Sequence, residues 1–133
     1  LGKRLDVFKQ LASCDCLLIA SDFEGLPMVL LEAGSVGIPF ITTEVGDCGI
    51  IARETNCGFV SELKLNMYSS HMEKMLCRNK DYFKNVANFF PLYIEENFTT
   101  QSITNQYLAL YNLSIKPKFP ITKEPNSCGS SIK

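Results

Sequence analysis

The order of apolar and polar positions predicts alternating strands and helices in the first half of the chain. Three short apolar runs bounded by turn residues predict strands at residues 16–20, 38–42 and 58–60. Between them, helical segments are predicted at residues 28–36 and 50–53, and the first is nearly all apolar and ends at Gly37. This order predicts right-handed β-α-β units in a parallel sheet with flanking helices.

Helical spacing dominates elsewhere. Apolar residues three and four apart predict helices at residues 5–13, 67–77, 82–98 and 101–113. Pro91 is expected to break or kink the long third one. An apolar stripe in that helix, which we interpret as core packing, consists of Phe83, Val86, Phe89 and Phe90.

The strand count sets the fold class. A doubly wound sheet has five or six strands, whereas about three are recognisable here. We therefore predict an α/β fold with a partial Rossmann-like parallel sheet, the back portion of a larger domain. Residues 114–133 contain three prolines and many polar residues, and we expect a disordered tail there. Because the chain begins with Leu1 rather than Met, we expect a processed chain or a fragment.

Composition excludes several classes of protein. A net charge of −1 gives no electrostatic case for nucleic-acid binding or for an anionic membrane surface. No apolar run reaches the roughly 18 residues of a membrane span. Six cysteines without a C-x-x-C pair are interpreted as small apolar residues in a reducing cytosol rather than as disulfides or metal ligands. His71, the single histidine, is interpreted as solvated or packed.

Two carboxylates carry the candidate chemistry. Glu24 lies in the turn after the first strand, and Glu32 lies inside the apolar helix, where a carboxylate is costly to desolvate without a partner. The carboxyl edge of a parallel sheet is where α/β folds bind ligands. The free N–H groups at the start of a helix favour phosphate binding, and Gly25 lets the backbone approach a ligand closely. Carboxylates instead accept hydrogen bonds from hydroxyls, in which sugars are rich. A sugar–diphosphate–ribose ligand matches this arrangement.

Simpler structural roles stay open for these residues. Glu24 could cap the following helix, where acidic residues are favoured. Glu32 could pair with a distant Lys or Arg. Gly46 and Gly49 could serve turn geometry alone.

A family resemblance rests on several motifs. Glu24-Gly25-Leu26-Pro27 and Glu32 reproduce an E-x7-E motif with an E-G-x-P turn. Further matching segments are residues 15–21 before this turn, a G-x-P-x-I-x-T strand at 37–43, a loop at 45–47, an N-x-G-hydrophobic-V segment at 56–60 and a closing Leu-Tyr at 110–111. Together they resemble the C-terminal donor-binding part of retaining GT-B glycosyltransferases of family 4, the group 1 transferases. Residues 1–113 would then be an incomplete nucleotide-sugar-binding domain.

The resemblance implies roles for individual residues. Glu24 would be catalytic, facing the donor sugar, and Glu32 would hold the ribose hydroxyls. The donor-binding backbone would be that of Gly25, Leu26, Pro27 and Met28, with Gly46 in the next ligand-side loop. No metal or other cofactor is expected, because the chain has no Asp-x-Asp and such enzymes typically use basic side chains on the diphosphate.

The implied reaction is transfer of a hexosyl-type sugar from a nucleotide diphosphate sugar to an acceptor hydroxyl with retention. Such enzymes often build polysaccharides or glycoconjugates in the cytoplasm, at the inner face of the membrane. The resemblance places basic residues and an N-terminal acceptor domain upstream, so we expect the chain alone to be inactive. The alternatives are a catalytically silent nucleotide-sugar-binding or scaffold domain, a nucleotide-sugar epimerase and, with Asp22 as its acceptor residue, a receiver domain.

Overall fold

The structure is a computed structural model that describes residues 4–114. Strands and helices alternate up to β3, and helices follow. The elements are α1 (Val7–Leu11), β1 (Leu17–Ile19), α2 (Met28–Ser35), β2 (Phe40–Thr43), α3 (Cys48–Thr55), β3 (Gly58–Ser61), α4 (Leu65–Leu76), α5 (Lys80–Phe98) and α6 (Thr100–Ser114). The predicted α/β fold with a three-stranded parallel sheet and flanking helices is confirmed.

The three strands lie in the order β1-β2-β3, so β2 is central and all four of its residues are buried. Leu17 pairs with Phe40 on one side of β2, and Gly58 pairs with Phe40 on the other. A Cβ at Gly58 would lie 2.6 Å from the Phe40 carbonyl oxygen, so only glycine fits there without a shift. The parallel register brings the carboxyl ends of all three strands to one edge.

Helix α2 packs closely against α5 at its C-terminal end. Gly37 has φ +74° and donates to the Gly34 carbonyl at 3.0 Å, while Ile38 N–H donates to the Ala33 carbonyl at 2.9 Å, the two bonds of a Schellman cap. A Cβ at Gly34 would lie 2.6 Å from Ile94 Cγ1, and one at Gly37 would lie 2.7 Å from Ala87 Cα. The two glycines therefore let the helices approach.

The core forms where β2 meets α5. Phe40 and Phe90 stack with ring centroids 5.6 Å apart, and both side chains are fully buried. On α5, the buried residues are Val86, Phe90 and Ile94, which are spaced four apart on one face. The predicted stripe was thus wrong for Phe89, which is 48% exposed because it lies one position off that face.

Pro91 was expected to break or kink this helix, and the break is wrong, because α5 continues through it from Lys80 to Phe98. Proline lacks the N–H that would bond the carbonyl four residues earlier, which is that of Ala87. Gly37 packs against this stretch of backbone, since its Cβ position lies 3.0 Å from the Ala87 oxygen. Tertiary packing on the core face holds the helix together at this point.

The remaining sequence predictions concern exposed or cysteine positions. In the part of the chain that the structure describes, Cys14, Cys16, Cys48, Cys57 and Cys77 are free thiols. His71 packs beside Phe59 with ring centroids 5.6 Å apart. No helix within residues 4–114 is long and apolar enough to cross a membrane. Apart from Ser114, which ends α6, the predicted tail and Cys128 lie outside the described residues.

Candidate functional site

The turn after β1 is tied both internally and to β2. Ser21 Oγ donates to Glu24 Oε1 at 2.9 Å, so the half-buried Glu24 carboxylate is held by a residue of its own turn. Thr43 Oγ1, at the buried end of β2, donates to the Ser21 carbonyl at 2.5 Å. The position of Glu24 is therefore fixed relative to the carboxyl edge of the sheet.

The loop after β2 lies directly on this turn. The Asp47 amide donates to the Gly25 carbonyl at 2.9 Å. Gly46 has φ +46°, and a Cβ there would lie 1.7 Å from the backbone carbonyl oxygen of Gly25 and 2.6 Å from that of Glu24. Any other residue at position 46 would push the two turns apart, so Gly46 is needed for contact between them. The loop that contains Gly46 is thus in contact with the backbone of Glu24 and Gly25.

Helix α2 begins beside this contact without a side-chain cap. Pro27 is its N-cap, and no side chain within residues 4–114 accepts from the first turn, so the alternative that the Glu24 side chain caps α2 is wrong. The first N–H groups of a helix lack helical partners and carry partial positive charge. Leu26 and Pro27 are half-buried, whereas Met28 is 67% exposed. The start of α2 is consequently open to a ligand.

Glu32 lies on α2 about 6 Å along the helix axis from Met28. Its side chain is half-buried, and no group within residues 4–114 donates a hydrogen bond to its carboxylate. Since no buried side-chain oxygen or nitrogen in that range lacks a partner, the carboxylate oxygens must reach solvent. The three ion pairs within residues 4–114 are Arg4–Asp6, Arg53–Glu44 and Lys64–Glu62. No ion pair therefore holds Glu32 within that range, and its partial exposure reduces the desolvation cost expected for it.

Glu24 lies close enough to the start of α3 for its negative charge to act on the Cys48 thiol. Burial raises the pKa of the Cys48 thiol, and the nearby charges of Glu24 and Asp47 add to that rise. Cys48 is fully buried at the first position of α3, so it stays protonated at neutral pH and acts as a packing residue.

Sequence reasoning found the carboxylates but missed the residues that hold the turn. Ser21 and Thr43 form its hydrogen bonds, and Ser21, three positions before Glu24, was a detectable signal. The site is an open surface at the sheet edge. Clefts of about 510 and 410 Å³ lie elsewhere, the first between α5 and α6 and the second between β1 and α4. Residues 4–114 contain no group of three His, Cys, Asp or Glu side chains arranged for a metal ion.

The three-stranded parallel sheet with its flanking helices matches the fold of GT-B glycosyltransferases. The structure resembles a sucrose-phosphate synthase from Thermosynechococcus elongatus, with a TM-score of 0.66 and 17% sequence identity. The match covers 79% of this chain and 26% of that one, so the chain spans about a quarter of the length of this relative.

Family membership comes from the sequence. The family model described as glycosyl transferases group 1 matches residues 1–77, which is more than half of the 133 residues. The chain belongs to the glycosyl transferases group 1 family. A comparison with curated proteins gives no match.

Proposed function

We infer that this chain supplies the donor side of a retaining, family 4 glycosyltransferase of hexosyltransferase type. The observation that carries the inference is the open start of α2, flanked by Glu24 and Glu32. Glu24 is held by Ser21, whereas Glu32 has solvent-accessible oxygens and no ion-pair partner among residues 4–114. A carboxylate that is positioned but not neutralised is available to accept hydrogen bonds from ligand hydroxyls.

In this proposal the donor is a nucleotide diphosphate sugar. Glu32 accepts hydrogen bonds from the ribose hydroxyls, and Glu24 accepts them from the sugar and is the catalytic candidate. The backbone N–H groups of Gly25, Leu26 and Met28 stabilise the diphosphate as negative charge develops on it, and Pro27, which has no N–H, lines the same surface. Gly46 keeps the neighbouring loop against this surface.

The proposed reaction breaks the bond between the anomeric carbon and the diphosphate oxygen. A bond to the acceptor oxygen forms on the same face, and the proton of the acceptor hydroxyl passes to the oxygen of the departing nucleotide diphosphate. This chain contributes by orienting the donor and stabilising the leaving diphosphate. The acceptor pocket belongs to an N-terminal domain in this proposal, so residues 1–133 bind a donor without transferring it.

We place the complete enzyme in polysaccharide or glycoconjugate biosynthesis in the cytoplasm, at the inner face of the membrane, with basic side chains rather than a metal on the diphosphate. Incubation of residues 1–133 with labelled nucleotide sugars is expected to give no transfer. Turnover by this chain alone would contradict the proposal that the acceptor pocket and the basic side chains that bind the diphosphate lie outside residues 1–133.

The donor assignment is tested with Glu32→Ala in the intact protein. The variant should weaken nucleotide-sugar binding by roughly 1–3 kcal/mol, the scale of lost hydrogen bonds to a charged group. Calorimetric titration against UDP-glucose and GDP-mannose measures the change. Glu95→Ala is the matched control, because Glu95 is an exposed carboxylate on α5.

Equal donor affinity in the wild type and Glu32→Ala would contradict the ribose role. Donor binding by the intact protein without any transfer would favour the alternative, a catalytically silent nucleotide-sugar-binding or scaffold domain.

A further inference from the structure

The loop between β2 and α3 is clamped by a side chain outside the family motif. Glu44, the residue after β2, receives two hydrogen bonds from Arg53, at 2.9 and 3.0 Å. Arg53 lies in the last turn of α3, and Gly49 lies four residues earlier on the same helix face. The Glu44 carboxylate thus extends from the end of β2 along one face of α3.

Gly49 provides the space for this carboxylate. A Cβ at Gly49 would lie 2.2 Å from Glu44 Oε1 and 2.7 Å from its carboxyl carbon. The hydrogen bonds from Arg53 also lower the pKa of Glu44, so the carboxylate stays charged at neutral pH. Glu44 and Gly49 bracket the segment that contains Gly46 and Asp47.

That segment contacts the Glu24–Gly25 turn. Asp47 N–H bonds the Gly25 carbonyl, and Gly46 lies against the same oxygen. The Arg53–Glu44 ion pair links the residue that precedes the segment to the helix that follows it, so the pair limits how far the loop can move from Gly25.

We propose that Glu44 and Arg53, accommodated by Gly49, are positioning residues that hold the β2–α3 loop on the Glu24–Gly25 turn and so set donor affinity. The proposal rests on the proposed function. Neither residue touches the donor in this scheme. Their effect reaches the donor through the Asp47–Gly25 hydrogen bond.

The first measurement needs no ligand and follows exchange of the Asp47 amide by NMR. Glu44→Gln and Gly49→Ala should each speed this exchange about two- to fivefold, the scale that an exposed ion pair supports. Alanine favours helix over glycine, so Gly49→Ala should keep or raise the melting temperature while loosening the loop. The double variant should exchange no faster than either single one, because both remove the same interaction.

Glu62→Gln is the matched control. Glu62 follows β3 as Glu44 follows β2, and it pairs with Lys64 at 2.6 Å on the exposed surface. Its loss should leave Asp47 exchange at the wild-type rate. Equal acceleration by Glu62→Gln, or wild-type exchange in both Glu44→Gln and Gly49→Ala, would overturn the clamp.

The second measurement titrates the intact protein and its variants with UDP-glucose and GDP-mannose. Both loop variants should lose donor affinity by about the factor seen in exchange, two- to fivefold, and Glu62→Gln should not. Faster exchange with unchanged donor affinity would overturn the positioning role. Wild-type protein that binds neither nucleotide sugar while the exchange pattern holds would count against the proposed function instead.

Discussion

Glycines lie near both ends of α2, for opposite reasons. At the C-terminal end, Gly34 and Gly37 have no room for a methyl group, because α5 occupies the space. At the N-terminal end, no other part of the chain among residues 4–114 lies within 4 Å of a Cβ built on Gly25, and Met28 is 67% exposed. The surrounding space, rather than the residue type, therefore separates a packing glycine from one that leaves room for a ligand.

The largest expected effect lies at the packed end. Phe90→Ala should lower the free energy of unfolding by about 3–5 kcal/mol, because it removes a fully buried ring that stacks on Phe40. Urea unfolding followed by circular dichroism measures the loss. Phe89→Ala is the control on the same helix, since Phe89 is 48% exposed. Similar losses in both variants would contradict the assignment of one buried α5 face.

Gly37→Ala should cost less, about 2–4 kcal/mol of unfolding free energy. Its positive φ penalises a Cβ, and that Cβ would meet the Ala87 backbone, which cannot rotate away as a side chain can. Thermal and urea unfolding measure the change. A variant as stable as the wild type would show that α2 and α5 can separate at no cost.

The smallest change in stability is expected at the open end. Gly25 has no positive φ, so the backbone accepts alanine there without strain. Gly25→Ala should raise the unfolding free energy by about 0.4–1 kcal/mol, because alanine lowers the conformational entropy of the unfolded chain. The same methyl group should weaken nucleotide-sugar binding by about 1–2 kcal/mol, because it would crowd the ligand. Calorimetry on the intact protein measures both the expected gain in stability and the expected loss of donor affinity. Wild-type donor affinity in Gly25→Ala would contradict the assignment of Gly25 to the donor site.

The strands were predictable to within two residues because each is a short apolar run between turn residues. Helix α3 was underestimated at residues 50–53, whereas it spans Cys48–Thr55. Gly46 and Gly49 favoured a turn by local propensity, and Gly49 nevertheless lies inside the helix beneath the Glu44 carboxylate. The same override by tertiary contacts keeps α5 continuous through Pro91.

The site residues that were most directly predictable are those that lie close together in the sequence. Glu24, Gly25 and Glu32 stand out within one strand–turn–helix segment, so their motif is visible in the sequence. The hydrogen bond from Thr43 to Ser21 depends on the strand register, in which Ile19 pairs with Thr42. No local pattern encodes a contact of that kind.

The close approach of Gly34 to Ile94 can form only after both residues have been synthesised. A ribosome adds about 5–20 residues per second, so the roughly 60 residues between them take about 3–12 s to synthesise. During that time Leu30 and Phe40, both fully buried in the finished fold, lack the helix that covers them. The nascent chain thus leaves this apolar surface uncovered for seconds after its candidate donor motif has been translated.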